Sequence, residues 1–359
     1  MKAPVSLCRY FVLVAFAALL PVQQAFGIDN IQSKSVLLME MGSGRILYQI
    51  KANERIAPAS LTKILGVYTA LKIMQTKKMS TEATVTVSKA AASPGGSCMG
   101  LRPGEKVSID KLLYGISVAS GNDASQALAE HLAGSHQAFV KEMNRYAKAL
   151  GMEQSAFKNA HGMPAEGQRT TARDMAVLTR AYLQAFPEML HYHSARSLRH
   201  NGKITTNKNP LVSAVNGVDG LKSGWITASG YNLVTTAQRG GYRLILVVLG
   251  APTPEVRAQD TLRLLESGFA ALSTVTTVKS QLALRKPSDF TVSLAQARQA
   301  ALSDLSRTGK VTGNIGSPKP APVAVQGAAR TTPVPAPSSN PASRNRQLAV
   351  GSIGSPSSL

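Results

Sequence analysis

The chain has 359 residues, 44% of them hydrophobic, which is enough for one large globular domain or two ordinary ones. Its 40 Lys and Arg residues against 19 Asp and Glu residues give a net charge of +21, which favours anionic partners. The basic residues are not interleaved with aromatic ones, and no pair of Cys or His residues has metal-ligand spacing, so neither nucleic-acid binding nor a metal or other cofactor is expected.

Residues 1–27 have the composition of a cleaved export signal. Two basic residues precede an apolar run over 10–21, and Ala25-Phe26-Gly27 places small residues where signal peptidase cuts. The run is short for a membrane-spanning helix of about 20 residues, so cleavage is favoured over an uncleaved anchor. Removal of the signal leaves Cys98 as the single cysteine. We therefore expect an exported protein, periplasmic or associated with the cell wall, without an internal disulfide.

Residues 28–290 are predicted to form the folded domain, with strands at both of its ends. Ser35–Glu40 and 45–50 predict a strand pair, and 232–237 with 242–248 predict a β-hairpin. Apolar residues recur at helical spacing in four intervening segments, which are 61–71, 112–116, 139–150 and 175–186. An antiparallel sheet that unites both ends, covered by helices, is the α+β architecture that this order favours.

The last segment, 291–359, is predicted to be a low-complexity, disordered tail. Ala, Pro, Ser and Gly dominate it, which leaves too little apolar surface to bury. Asp304 is its last acidic residue, whereas Arg and Lys continue beyond it. The tail is therefore expected either to bind anionic wall polymers or to act only as solubilising charge.

Three short motifs together supply a nucleophile, a proton carrier and a carboxylate-binding strand. They are Ser60-Leu61-Thr62-Lys63, then Ser120-Gly121-Asn122, then Lys222-Ser223-Gly224. The Ser-x-x-Lys pattern also occurs at Ser108, which precedes a helix as a cap does, and at Ser155, which lies in a polar connection. Only Ser60 opens an apolar helix, where the helix dipole and Lys63 one turn later both lie near its hydroxyl.

The chemistry of the first two motifs depends on the pKa of Lys63. Lys63 can take the proton of Ser60 only if that pKa falls, and burial and a second cation, Lys222, would both lower it. Asn122 is placed to orient Lys63, and Ser120 to pass a proton to a leaving amine. The alternative for this second motif is a plain helix-capping turn.

The third motif predicts a strand that binds peptide. Gly224 lets a substrate approach the backbone closely and pair as an added strand. The substrate carboxylate would then meet Lys222 and the hydroxyl of Ser223. The alternative is an ordinary edge strand with a solvated lysine.

Taken together, these motifs resemble those of the serine D-alanyl-D-alanine carboxypeptidases, the low-molecular-mass penicillin-binding proteins. The resemblance covers about residues 30–270 and rests on six segments in matching order, which are 57–63, 120–124, 157–163, 171–175, 219–224 and 230–234. It implies a serine β-lactamase/DD-peptidase-like fold, with a five-stranded antiparallel sheet covered by helices and a helical subdomain. It also implies removal of the terminal D-alanine from peptidoglycan stem peptides through an acyl-enzyme, and acylation by β-lactam antibiotics.

The same resemblance implies further site residues. The backbone N–H groups of Ser60 and Trp225 would form the oxyanion hole, and Arg257 would assist recognition of the terminal carboxylate. The loop 93–100 would lie at the mouth of the site. Ser223 stands where the family usually has threonine, which keeps the hydroxyl. Many members also carry a β-rich second domain and an amphipathic C-terminal anchor, in whose place this chain has the basic tail.

Two other functions stay open on the sequence alone. One is a DD-endopeptidase that cuts peptidoglycan cross-links, and the other is a non-catalytic wall-binding protein that keeps the fold. A β-lactamase is disfavoured because Glu166 is not followed by the Leu-Asn pair of a deacylating Glu-x-x-Leu-Asn loop. His161 suggests a catalytic triad, but Lys63 already serves as the base, so structural hydrogen bonds are expected of His161.

Overall fold

The computed structural model describes residues 30–284, except for the side chains at 213 and 275–284. All of them fall within the first of the two units, Met1–Pro287 and Ser288–Leu359, into which the chain divides. The predicted export signal and the predicted basic tail lie outside the described residues. Both therefore stay predictions.

A five-stranded antiparallel sheet joins the two ends of the described segment. Its strands are β1 (Ser35–Glu40), β2 (Ile46–Ile50), β7 (Val218–Ile226), β8 (Gly230–Arg239) and β9 (Tyr242–Ala251). They lie in the order β2-β1-β9-β8-β7, so the first strand pairs directly with the last. This arrangement confirms the predicted sheet and places β7, the strand of the third motif, at its edge.

Strand β9 is buried on both faces because successive side chains point to opposite sides of a sheet. Ile245 and Val247 join the core beneath the helical part, whereas Leu244 and Leu246 pack with α8 (Pro254–Leu284) on the other side. Full burial of each such side chain contributes about 1.5–3 kcal/mol. The sheet is thus held between two hydrophobic cores.

The other helices fill the middle of the chain, as predicted. They are α1 (Thr62–Lys77), α2 (Ile109–Tyr114), α3 (Asn122–Ala133), α4 (His136–Ala149), α5 (Ala172–Ala185), α6 (Leu190–Ser194) and α7 (Leu211–Ala214). Eleven of the sixteen residues of α1 are buried, which makes it the central helix and places Lys63 in the interior. Within residues 30–284, none of the helices is both long enough and apolar enough to cross a bilayer.

Two small antiparallel strand pairs, the second of them a hairpin, were not predicted. Strand β3 (Thr84–Thr86) pairs with β4 (Lys106–Ser108), and β5 (Ser197–His200) pairs with β6 (Lys203–Thr206). Their strands have three or four residues and few buried side chains, so they lack the apolar alternation by which strands are recognised. The β5–β6 hairpin proves important because it borders the site described next.

Candidate active site

The three motifs meet at a cavity of about 930 Å³ beside the edge strand β7. Ser60, Asn122, His161 and Trp225 are among the residues that line it. The loop 93–100 contributes Cys98 and its neighbours to the lining, which confirms the position predicted for that loop. Strands at the far side of the sheet take no part, so the site lies between β7 and the helical part.

Ser60 sits in a single 3₁₀ turn, Ala59–Leu61, that leads directly into α1. Two glycines enclose this turn. A Cβ added at Gly162 would lie 1.9 Å from the carbonyl oxygen of Ala59, and one added at Gly224 would lie 3.0 Å from the Ser60 nitrogen. Because these positions have no side chain, the backbone of the nucleophile can lie against β7 on one side and the 161–163 segment on the other.

Lys63 makes the contacts expected of a base. Its Nζ donates to Ser60 Oγ at 3.0 Å, to Asn122 Oδ1 at 2.7 Å and to the His161 carbonyl oxygen at 2.5 Å. A neutral lysine amine has two N–H groups and one lone pair. When the Asn122 and His161 oxygens accept the two N–H groups, the lone pair faces the Ser60 hydroxyl.

The electrostatic surroundings support that neutral form. Burial lowers the pKa of Lys63 well below its usual range, and the positive charge of Lys222 lowers it further. Burial also lowers the pKa of Lys222 to about 7, with added repulsion from Arg257 and Lys208. The predicted influence of Lys222 on Lys63 is therefore present in the structure.

The second motif is more than a capping turn. A π-helical segment, Gly115–Ala119, ends at Ser120, whose φ of 58° is in the left-handed region that non-glycine residues rarely adopt. Asn122 follows at the start of α3. Its side-chain nitrogen donates to the Gly95 carbonyl oxygen at 2.7 Å, while its Oδ1 accepts from Lys63. The motif thus ties the loop at the mouth of the site to the base.

Asp123, the next residue, holds the same loop in place. Its carboxylate accepts the backbone N–H groups of Met99, Gly100 and Leu101 at 2.9–3.1 Å, as well as that of Ala124 at 2.8 Å. Hydrogen bonds to an ionised acceptor are stronger than neutral ones, so this single buried carboxylate fixes several consecutive residues.

The third motif lies on β7. Lys222 is buried, and its Nζ donates to the Ser223 carbonyl oxygen at 2.8 Å. The hydroxyl of Ser223 donates to the Lys208 carbonyl oxygen at 3.0 Å. Arg257 is also buried, and its Nε has no hydrogen-bond partner among residues 30–284. A buried donor without a partner is costly.

The other candidate serines and His161 make structural hydrogen bonds. Ser108 caps α2 by accepting the Lys111 N–H at 3.2 Å, as predicted, and Ser155 donates to Asp174 at 2.7 Å. The imidazole of His161 accepts the Met163 N–H at 3.3 Å. Burial and the charge of nearby Lys63 lower the pKa of His161 to about 4, so the ring is neutral and has the structural role expected of it.

Sequence reasoning missed two kinds of contributor. One is the backbone carbonyl of His161, which no residue pattern reveals. The other is the pair Lys203 and Lys208, which line the cavity from β6 and the connection after it. Recognition of the β5–β6 hairpin would have suggested these lysines. Within residues 30–284, no three His, Cys, Asp or Glu side chains gather as a metal site requires.

Comparison with known proteins identifies the family. A family model described as D-alanyl-D-alanine carboxypeptidase matches residues 22–253. The chain belongs to this family. Among its relatives is the D-alanyl-D-alanine carboxypeptidase DacC of Escherichia coli strain K12, which is 40% identical over 276 residues, covering 75% of this chain and 68% of DacC.

Solved structures agree with this family. Penicillin-binding protein 6B from Escherichia coli is 37% identical, with a TM-score of 0.64, over 67% of this chain and 77% of that one. The ampicillin-bound form of penicillin-binding protein D2 from Listeria monocytogenes is 29% identical, with a TM-score of 0.59, over 67% of this chain and 99% of that one. The D-alanyl-D-alanine carboxypeptidase fold and the serine-type carboxypeptidase activity predicted from the sequence are confirmed. The endopeptidase and wall-binding alternatives are not favoured.

Proposed function

We propose that this chain removes the terminal D-alanine from peptidoglycan stem peptides through an acyl-enzyme on Ser60. The observation that carries the proposal is the geometry of Lys63, whose Nζ lies 3.0 Å from the Ser60 hydroxyl while two other oxygens accept its remaining protons. Membership of the D-alanyl-D-alanine carboxypeptidase family supplies the substrate class.

Acylation follows from these contacts. Neutral Lys63 takes the proton of Ser60 Oγ as the oxygen bonds to the carbonyl carbon of the penultimate residue. The backbone N–H groups of Ser60 and Trp225 stabilise the resulting oxyanion. The proton that Lys63 took from Ser60 returns through the Ser120 hydroxyl to the leaving amine as the C–N bond breaks, and D-alanine departs.

The carboxylate end of the substrate determines how the peptide is oriented in the site. The peptide pairs with the free edge of β7, so that its terminal carboxylate meets Lys222, Ser223 and Arg257. Buried cations gain most from an anionic partner, because each hydrogen bond to a charged group is worth about 1.5–3 kcal/mol. The same carboxylate favours the ammonium form of Lys222.

Deacylation uses the same base. Water enters the position vacated by D-alanine, and Lys63 takes one of its protons as the water oxygen bonds to the ester carbon. Lys63 then returns that proton to Ser60 Oγ as the ester bond breaks. A β-lactam differs because its leaving amine stays attached by the ring and blocks this position. Covalent labelling by penicillins is therefore expected of Ser60.

The decisive experiment is intact-mass analysis with a penicillin, followed by peptide mapping. We expect one covalent equivalent on Ser60, none on the Ser60→Ala variant, and normal labelling of the control Ser108→Ala. Ser108 is the matched control because it opens another Ser-x-x-Lys sequence but caps α2. A label mapped to any other serine would overturn the assignment. The same preparations should release D-alanine from a D-Ala-D-Ala peptide unless Ser60 is replaced.

We also propose that the protein acts outside the cytoplasm after cleavage of residues 1–27, and that residues 291–359 bind anionic wall polymers. The support is the composition of both segments and the net charge of +21. Co-sedimentation with isolated sacculi should weaken as salt screens the charges, over about 8 Å at physiological ionic strength. Truncation after residue 290 should weaken it as well. Binding that changes neither with salt nor with truncation would refute this role. Protein that stays in the membrane fraction until detergent releases it would indicate an uncleaved anchor.

A further inference from the structure

A helix outside the three catalytic motifs contacts the segment that holds the base in place. His136 is the first residue of α4, and its Nε2 accepts the Ala160 N–H at 3.0 Å. The carbonyl oxygen of the next residue, His161, accepts from Lys63 Nζ at 2.5 Å. The hydrogen bond of His136 therefore joins α4 to the stretch of backbone that orients Lys63.

The imidazole rings of His136 and His161 also stack on each other. Their centroids are 5.5 Å apart, and their planes differ by 7°. Each ring accepts a backbone N–H group, His136 that of Ala160 through Nε2 and His161 that of Met163 through Nδ1. A protonated imidazole has no lone pair with which to accept, so these contacts require both rings to be neutral.

The surroundings of His136 favour the neutral ring at neutral pH. Burial lowers the pKa of His136 below its usual value, although the charge of Glu130 on α3 opposes this shift. The positive end of the α4 dipole also disfavours a proton at this position. On the other side lies His161, whose pKa is lowered to about 4 by burial, by Lys63 of α1 and by His136 itself. His136 is therefore an acceptor near pH 7 and becomes a donor only in acid.

The segment 159–163, to which Ala160 belongs, is tied together by its own hydrogen bonds. Asn159 accepts the Gly162 N–H at 2.6 Å through Oδ1 and donates from Nδ2 to the Met163 carbonyl oxygen at 2.9 Å. A displacement at Ala160 therefore also displaces the carbonyl that accepts from Lys63. Gly162 lies against the turn of the nucleophile, so that turn is affected as well.

We propose that neutral His136 is a positioning residue for Lys63, because it holds the segment whose carbonyl oxygen accepts from that base. Protonation of His136 removes the lone pair that accepts the Ala160 N–H and adds a positive charge beside His161. Lys63 then loses an acceptor that keeps its lone pair directed at the nucleophile. His136 does not line the cavity, so it acts through Lys63 rather than on the substrate. The inference rests on the proposed function, which assigns Lys63 as the base.

The test measures the rate of acylation by a fluorescent penicillin as a function of pH. The variant His136→Gln keeps an oxygen that can accept the Ala160 N–H but does not titrate. Wild-type acylation should fall in acid more steeply than protonation of Lys63 alone allows, whereas His136→Gln should fall with the slope of a single proton. Where His136 is fully protonated, the variant should keep about five- to hundredfold more of its neutral-pH rate than the wild type, as an unpaired buried N–H implies.

Two more variants separate the hydrogen bond from the ring and from the titration. His136→Phe keeps an aromatic ring beside His161 but has no acceptor, so its acylation should already be slow at neutral pH by about the same factor. His131→Gln is the matched control, because His131 is an exposed histidine of α3. This control removes the same kind of titratable group and should keep the wild-type steepness. If melting shows that His136→Phe does not fold, the His136→Gln profile decides alone.

Two outcomes would overturn the positioning role: the same acid slope in His136→Gln as in the wild type, or an equal change of slope in His131→Gln. A second readout needs no acylation. In NMR spectra of the isotope-labelled full chain, the ring nitrogens of His136 and the amide proton of Ala160 should shift together as the pH is lowered. Independent shifts would refute the hydrogen-bond coupling. Coupled shifts in a protein that penicillin does not label would count against the proposed function alone.

Discussion

Replacing Gly162 with alanine should damage both the fold and the acylation of Ser60. The new Cβ would lie 1.9 Å from the carbonyl oxygen of Ala59 and 3.0 Å from the Ser60 nitrogen, so the backbone of the nucleophile must move. Gly162 also has a φ of 88°, which an alanine adopts only with strain. The substitution therefore perturbs the turn of the nucleophile without touching any proposed catalytic side chain.

The size of the effect follows from two separate costs. The left-handed backbone costs an alanine about 1–2 kcal/mol, and overpacking of a filled site costs about 1–3 kcal/mol more. The sum of about 2–5 kcal/mol lowers the melting temperature of a domain of this size by roughly 5–20 °C. Displacing the Ser60 N–H from the oxyanion hole should slow acylation by about 10²–10³-fold.

Gly151→Ala is the matched control. Gly151 has a φ of 78°, but an added Cβ there would meet no atom within 4 Å. This variant should show the backbone cost alone and acylate at the wild-type rate. Thermal melting and the second-order rate of labelling by a fluorescent penicillin measure both effects. If the Gly162→Ala variant has the same melting temperature as Gly151→Ala and is acylated at the wild-type rate, the proposed enclosure of the Ser60 turn is refuted.

Three further predictions concern the base Lys63, the neighbouring cation Lys222 and the loop 93–100. Lys63→Arg puts a guanidinium that cannot lose its proton in place of the neutral amine, so penicillin acylation should fall by about 10²–10⁴-fold. An unchanged rate would exclude Lys63 as the base. Lys222→Gln removes a positive charge that lowers the pKa of Lys63, so the pKa of Lys63 should rise. The acidic limb of the pH profile of acylation should then move to higher pH. An unmoved limb would contradict the electrostatic coupling between Lys222 and Lys63. Asp123→Asn should loosen the loop 93–100 and lower the melting temperature, because an unmet buried N–H costs about 1–3 kcal/mol, and unaltered protease sensitivity of that loop would count against it.

The Ser60–Lys63 pair and the main sheet could be predicted from the sequence, whereas the short strands around the site could not. The Ser60–Lys63 contact was predictable because, of the three Ser-x-x-Lys sequences, only this one opens an apolar helix, where one turn brings the two side chains together. The antiparallel sheet was predictable because its apolar strands stand at the two ends of the domain, whereas the number of strands was implied only by the family resemblance.

The remainder depends on backbone geometry that residue identity does not encode. The third acceptor of Lys63 is the carbonyl of His161, and every residue has a carbonyl. Ala59 has a φ of 48°, although nothing in the sequence singles it out for the left-handed region. Lys203 and Lys208 read as ordinary solvated lysines until the β5–β6 hairpin is seen beside the cavity.

The charges of the site also explain why it acts on a chain end. Lys222 and Arg257 are buried, the pKa of Lys222 is lowered to about 7, and the Nε of Arg257 lacks a partner within the described residues. We expect a substrate with a free carboxylate to pair with both cations, whereas an internal peptide bond or an amidated end would leave them without an anionic partner. Sites with buried polar groups reject ligands that lack the matching group far more strongly than apolar sites reject a missing methylene. We therefore expect selection of a terminal carboxylate to depend on these two buried cations rather than on the chemistry at Ser60.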